Sequence, residues 1–261
     1  MGQYHTIANF DKKEYLKING GSKLMEFSWQ NCSTSLAFEN LLKTDWKNDY
    51  VLVVGDYARI EDARVDNPRG YFALKELYQK YDYLKNIEDI YDYVQENFKE
   101  TSIEVDKNNY SSRYIINEET NEYIDLKNEN IQTFYYDKEN NKLVSRRINP
   151  LFLMLAISNG LGGGDYYGRS DEYIGYWTEN PQRFSFTDIK PKGYKELDVH
   201  FDEEREIYKS SMDEYILEEE LIKDYKKYDN FNIDEVKIRD NFLTDKIAEI
   251  KENVRKDLKL C

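Results

Sequence analysis

Apolar and polar positions alternate near the start of the chain and again near its middle, with residue types in the same order. Ile7-Ala8-Asn9-Phe10-Asp11-Lys12-Lys13-Glu14-Tyr15-Leu16 is matched by Ile115-Ile116-Asn117-Glu118-Glu119-Thr120-Asn121-Glu122-Tyr123-Ile124, and Ile, Asn, Glu and Tyr recur in register. An apolar strand, a polar turn and a second strand entered through Glu-Tyr predict a β-hairpin in each copy. Beyond the first hairpin the pattern predicts a strand over 23–27, a helix from 33 to about 42, and a buried strand over 50–54 preceded by Trp46. Beyond the second it predicts a hairpin over 133–146, an apolar segment over 151–157, and a strand over 183–186 preceded by Trp177.

Helical periods follow. Leu74, Leu77, Tyr78, Tyr81 and Leu84 share a face that Ile87, Ile90, Tyr91, Val94 and Phe98 continue. This predicts amphipathic helix over 71–98, broken once near Lys85-Asn86. Further helices are expected over 202–228 and 234–258, the last striped by Leu243, Ile247, Ile250, Val254 and Leu258. Asn232 with Asp234 and Glu235 suits the start of that helix, where polar caps and early acids meet the positive end of its dipole. The expected fold class is α+β, with two pseudo-repeated halves, each a small antiparallel sheet with packed helices, over 1–105 and 106–190. An acidic helical extension over 191–261 is expected to pack on the same unit.

Charge narrows the function classes. The 261 residues carry 51 acids against 37 bases, a net charge of −14, which argues against direct binding of nucleic acid. No apolar run reaches the ~18–20 residues that span a bilayer, so no membrane role is expected. Cys32 and Cys261 make no disulfide framework, which favours a cytoplasmic location.

The second half carries an insert relative to the first, rich in glycine and tyrosine, ahead of Trp177. Within it, Gly162, Gly163, Gly164, Asp165, Tyr166, Tyr167 and Arg169 form a candidate ligand or partner loop. Glycines let backbone N–H groups approach an anion or substrate closely, but they serve a tight turn equally well. The run is neither a P-loop nor a dinucleotide fingerprint, since no Gly-Lys-Ser/Thr follows and Asp165 stands at the last glycine place.

Met1-Gly2-Gln3-Tyr4, Asn9 with Asp11-Lys12, Lys23-Leu24-Met25-Glu26, Gly55-Asp56-Tyr57 and Asn159-Gly160 through Gly163-Gly164-Asp165-Tyr166 resemble a family of bacterial proteins opening with M-G-Q-Y. The resemblance covers the framework of both halves but not the acidic tail. That family has no assigned activity, so the resemblance implies a bacterial or phage source and no catalytic role.

Candidate chemistry is sparse. Asp56 follows the apolar run 50–54, and with Asp165 it would make an acid/base pair or a hard-cation site. Ordinary turn chemistry at Gly55-Asp56 explains it as well. His5 and His200 have no ligand spacing, so neither metal nor cofactor is expected. Cys32 reads as a helix-start residue. Asp202, Glu203, Glu204, Glu206, Asp213 and Glu214, interleaved with Tyr208 and Tyr215, form either a solvated helix face or a docking face for a basic protein. The leading expectation is an acidic binding or inhibitory protein whose basic partner handles nucleic acid or serves defence. The alternative is an enzyme or small-ligand sensor with a site between the halves, built from Asp56, Asp165 and the glycine loop.

Overall fold

The computed structural model describes residues 4–18, 23–59, 68–105, 110–137, 142–157, 172–179 and 181–199. The protein is mixed α and β. Its elements run β1 (His5–Asn9), β2 (Glu14–Leu16), α1 (Leu24–Phe27), α2 (Ser33–Lys43), β3 (Val51–Gly55), α3 (Pro68–Lys80), a 3-10 turn (Asp82–Leu84), α4 (Ile90–Asn97) and β4 (Lys99–Thr101). There follow β5 (Tyr114–Asn117), β6 (Glu122–Asp125), β7 (Gln132–Asp137), β8 (Lys142–Arg147), α5 (Leu151–Met154), β9 (Ala156–Ile157), β10 (Phe184–Thr187) and β11 (Lys195–Glu196). The chain divides into two units, Met1–Thr133 with Ser145–Glu204, and Phe134–Val144 with Arg205–Cys261. Within the second unit the described residues are 134–137 of β7 and 142–144 of β8.

One sheet has the order β4-β2-β1-β3-β9 and another the order β10-β5-β6-β11. Both are mixed rather than antiparallel as expected, because β4, β9 and β11 each join a neighbour in parallel. Each of these strands arrives after a long crossover, as a parallel neighbour requires. The segment expected as a strand at 23–27 is the single helical turn α1. Leu24 and Phe27, three apart, are both buried there, which is helical spacing.

The apolar run Val51-Leu52-Val53-Val54 is explained by burial on both faces of its sheet. Val51 and Val53 join a core with Ile7, Phe38, Trp46, Ile115, Leu153, Trp177 and Phe184, which draws on both sheets. Leu52 and Val54 join a second core with Phe10, Leu74, Leu77, Val94 and Phe98, supplied by α3 and α4. The helix expected over 71–98 is interrupted more widely than at Lys85-Asn86: α3 stops at Lys80, a 3-10 turn follows, Asn86 takes a positive φ of 77°, and α4 starts at Ile90.

The two sheets share detailed geometry. Each hairpin pairs Asn with Glu, Asn9 with Glu14 and Asn117 with Glu122. A positive-φ residue precedes each Glu: Lys13 at 56° and Asn121 at 55°. Trp46 donates its indole N–H to Glu14 Oε2 at 3.0 Å, and Trp177 donates to Glu122 Oε2 at 3.2 Å. Tyr15 and Tyr123 donate to Glu100 and Glu196 on the outer parallel strands. Phe10 N–H meets the Tyr50 carbonyl at 3.0 Å, just as Glu118 N–H meets that of Arg183 at 2.9 Å.

Candidate functional site

Asp56 stands directly after β3, held by a reciprocal pair of bonds to Tyr4. Its amide donates to the Tyr4 carbonyl at 2.9 Å, and its carboxylate accepts from the Tyr4 amide at 3.2 Å. Burial pushes the Asp56 carboxyl above its ordinary value, and Asp89 adds to this, while the backbone bonds and Arg59 oppose it. Asp89 caps α4 by accepting from Asp92 N–H at 3.0 Å and also takes the Arg59 guanidinium at 3.0 Å. Asp165 and its loop, Gly162, Gly163, Gly164, Tyr166, Tyr167 and Arg169, lie outside the described residues, as does the acidic face Asp202, Glu203, Glu204, Glu206, Asp213 and Glu214. Asp56 is therefore the one sequence-derived catalytic candidate whose surroundings the structure describes.

Cys32 is the N-cap of α2. Its sulfur accepts from Ser35 N–H at 3.4 Å, and its thiol donates to the Phe27 carbonyl at 3.1 Å. Burial raises its pKa, which disfavours the thiolate a nucleophile needs. His5 is buried in β1. Among the described residues no group of three His, Cys, Asp or Glu side chains could hold a metal ion.

A cavity of about 430 Å³, within the range of small-molecule sites, opens between α3 and the turn that precedes β10. The wall from α3 carries Arg69, Phe72, Glu76 and Gln79, spaced so that they share one helical face. The opposite wall carries Gly175, Tyr176, Thr178 and Glu179. Backbone bonds hold that wall on α5, from Gly175 N–H to the Leu153 carbonyl at 3.1 Å and from Trp177 N–H to the Met154 carbonyl at 2.9 Å.

The Arg69 guanidinium lies 4.6 Å from the Tyr176 ring centroid and donates to the Glu172 carbonyl. Tyr176 in turn donates its hydroxyl to Glu122 Oε1 at 3.2 Å, while Trp177 occupies the other oxygen. Burial, and then Glu122, raise the Tyr176 phenol. Tyr50 donates to the carbonyl of Thr178, a lining residue, at 2.8 Å. Burial first, and Glu76 next, hold that phenol well above its usual range. The walls thus offer cations and carboxylates together with two aromatic rings, an arrangement suited to a polar ligand. Asp56 does not line this cavity. Sequence reasoning missed Arg69, Phe72, Glu76 and Gln79: the last three share a face of the helix expected over 71–98, but Arg69 lies before it and joins them only because α3 starts at Pro68.

No family model, no curated protein and no solved structure matches the chain. Among the described residues no helix is long and apolar enough to cross a membrane.

Proposed function

We propose that this chain is a cytoplasmic binding protein that docks an acidic, tyrosine-bearing surface on a basic protein, inhibiting a partner that handles nucleic acid or serves defence. The observation that carries the reading is the surface of α4 and its approach. Glu88, Asp92 and Glu96 are exposed there with Tyr91 and Tyr93 half-buried beside them, and no Lys or Arg intervenes between Lys85 and Lys99. Interleaved acids and tyrosines combine electrostatic steering with low-entropy contact area. The tract with Asp202, Glu203, Glu204, Glu206, Asp213 and Glu214 extends the same composition in sequence. The common register and polar contacts of the two sheets support a duplicated core.

The test is capture of the partner from a host-cell lysate by the full chain, followed by titration of the purified partner. Charge reversal at Glu203, Glu204 and Glu206, and separately at Glu88, Asp92 and Glu96, should weaken binding about tenfold or more, and added salt should weaken the wild type. Affinity indifferent to both reversals and to salt would overturn the reading.

A second reading is favoured by the cavity between α3 and the Gly175–Glu179 wall, which joins elements from before and after the second hairpin. It would serve a small-ligand sensor or an enzyme, with Arg69 and Glu76 gripping the ligand. Asp165 and the glycine loop, which follow β9 and precede this wall in the chain, would complete it.

A further inference from the structure

A second cavity, of about 270 Å³, lies between α2 and the chain at Val105 and Tyr110. Leu36, Glu39, Asn40 and Lys43 line it from α2, and their spacing puts them on one helical face. It shares no lining residue with the cavity beside α3. Its far wall is pinned by backbone bonds. Ser111 N–H donates to Asn31 Oδ1 at 2.8 Å, and Ser112 N–H donates to Glu39 Oε1 at 2.9 Å. Tyr110, directly before these anchors, is 79% exposed at the rim.

Glu39 is the unusual member, a carboxylate only 3% exposed. Its Oε1 accepts from Ser112 N–H and from the Lys43 ammonium at 2.6 Å. Its Oε2 is equally buried, yet no donor meets it. A buried acceptor left without a donor costs more than an ordinary hydrogen bond contributes, so such an atom in a cavity wall calls for a donor from an occupant.

Charge restricts what that occupant is. Lys43 is already committed to Glu39 Oε1, to Ser112 Oγ at 3.0 Å and to the face of Phe186, 5.4 Å away. An anion would meet the Glu39 carboxylate with no spare cation to offset it. A cation would meet a carboxylate already neutralised, with the Lys43 ammonium beside it. A neutral group carrying an O–H or N–H suits Oε2 best. Asn40, exposed on the same face, offers an amide that both donates and accepts. Leu36 and Val105 add apolar surface, and Tyr110 adds an aromatic ring.

We propose that this cavity binds a neutral sugar ring. One hydroxyl donates to Glu39 Oε2, a neighbouring hydroxyl exchanges hydrogen bonds with the Asn40 amide, and the C–H face of the ring lies against Tyr110. A volume of about 270 Å³, below the usual range for drug-sized ligands, holds a single ring. The site rests neither on the acidic docking surface nor on the cavity beside α3.

The experiment titrates the full chain with glucose, galactose, mannose and N-acetylglucosamine, and separately with methylguanidinium, while amide NMR shifts are followed. At least one sugar should shift the Asn40 and Ser112 amides saturably and leave Gly175 and Tyr176 unmoved. Glu39→Gln keeps an oxygen for Ser112 and Lys43 but sets an amide N–H where the acceptor stood. It should weaken sugar binding about tenfold or more, with the Ile115 amide reporting an intact sheet. Tyr110→Ala, at an exposed position, should weaken binding about fivefold without moving the unfolding midpoint, and it decides the matter if Glu39→Gln does not fold. No saturable shift with any of the four sugars would mean that solvent alone meets Oε2, and would overturn the proposal. Saturation by methylguanidinium but by no sugar would overturn the neutral ligand. Sugar-induced shifts that survive both substitutions unchanged would overturn the site.

Discussion

Asp11 illustrates how single carboxylates secure the first hairpin. It accepts from Tyr50 N–H at 2.6 Å and from the Tyr81 hydroxyl at 2.7 Å, and Lys80 lies 3.3 Å away. Burial pushes its carboxyl up, but these three partners together bring it below its ordinary value. Asp125 behaves alike, with burial raising it and the Arg113 guanidinium lowering it further. A carboxylate lowered in the folded state stabilises the fold above its unfolded value of 3.8, and that contribution is lost as pH falls through the folded value. Urea unfolding should therefore show stability declining on acidification below about pH 4. Asp11→Asn should lose about 1 kcal/mol at pH 7, a figure discounted for partial exposure, and should flatten the acid limb. Asp56 has the opposite sign, because its raised value makes the charged form a net burden on folding. Asp56→Asn keeps an acceptor for Tyr4 N–H and should leave stability at pH 7 equal or higher. None of these signs was legible in sequence, since each depends on a partner at least 12 residues away or on burial.

Both hairpins were readable because their alternation is local and their Asn and Glu recur at fixed spacing. The β7–β8 hairpin, α2, β3 and β10 likewise fall where local pattern predicts them. Residues 23–27 were not readable, since five residues with three apolar ones suit a strand or a helical turn equally. Glu26 decides it by reaching back to the Lys23 amide at 3.1 Å, closing the turn. The parallel strands were missed because β9 and β11 span two residues each, too few to show a period. Of the wall from Gly175 to Glu179, Gly175 and Tyr176 were read only as the end of the glycine- and tyrosine-rich insert ahead of Trp177. Gly175 holds a φ of +70° there, and a Cβ would come within 3.2 Å of the Ala156 carbonyl oxygen and 3.5 Å of Arg69 Cβ. Gly175→Ala should therefore destabilise the fold by about 1 kcal/mol or more and disturb the backbone around the Ala156 carbonyl. Denaturant unfolding and the amide spectrum of residues 174–178 would check both.

At the scale of the whole first unit, the sheets do not behave as separable halves. Ile7, Leu41 and Val53 from before residue 105 share one core with Ile115, Leu153, Trp177 and Phe184 from after it. Strand β3 also takes its outer neighbour β9 from the later half, and Tyr50 donates its hydroxyl across to Thr178. A fragment of residues 1–105 would strip Ile115, Leu153, Trp177 and Phe184 from the core that Val51 and Val53 share, and would leave the Val53 amide without Leu155. Loss of those core partners removes apolar burial that a marginally stable domain depends on. The fragment should show weak circular dichroism and rapid amide exchange, while the full chain protects Ile7, Val53 and Ile115 to a common level, since cooperative units open together. A fragment that protects Val53 as well as the full chain does would instead establish two autonomous halves. In the cooperative case, ordering of the Gly175–Glu179 wall and ordering of β3 are one event, joined by the Tyr50–Thr178 bond. A ligand gripping the cavity would then stabilise both sheets by mass action.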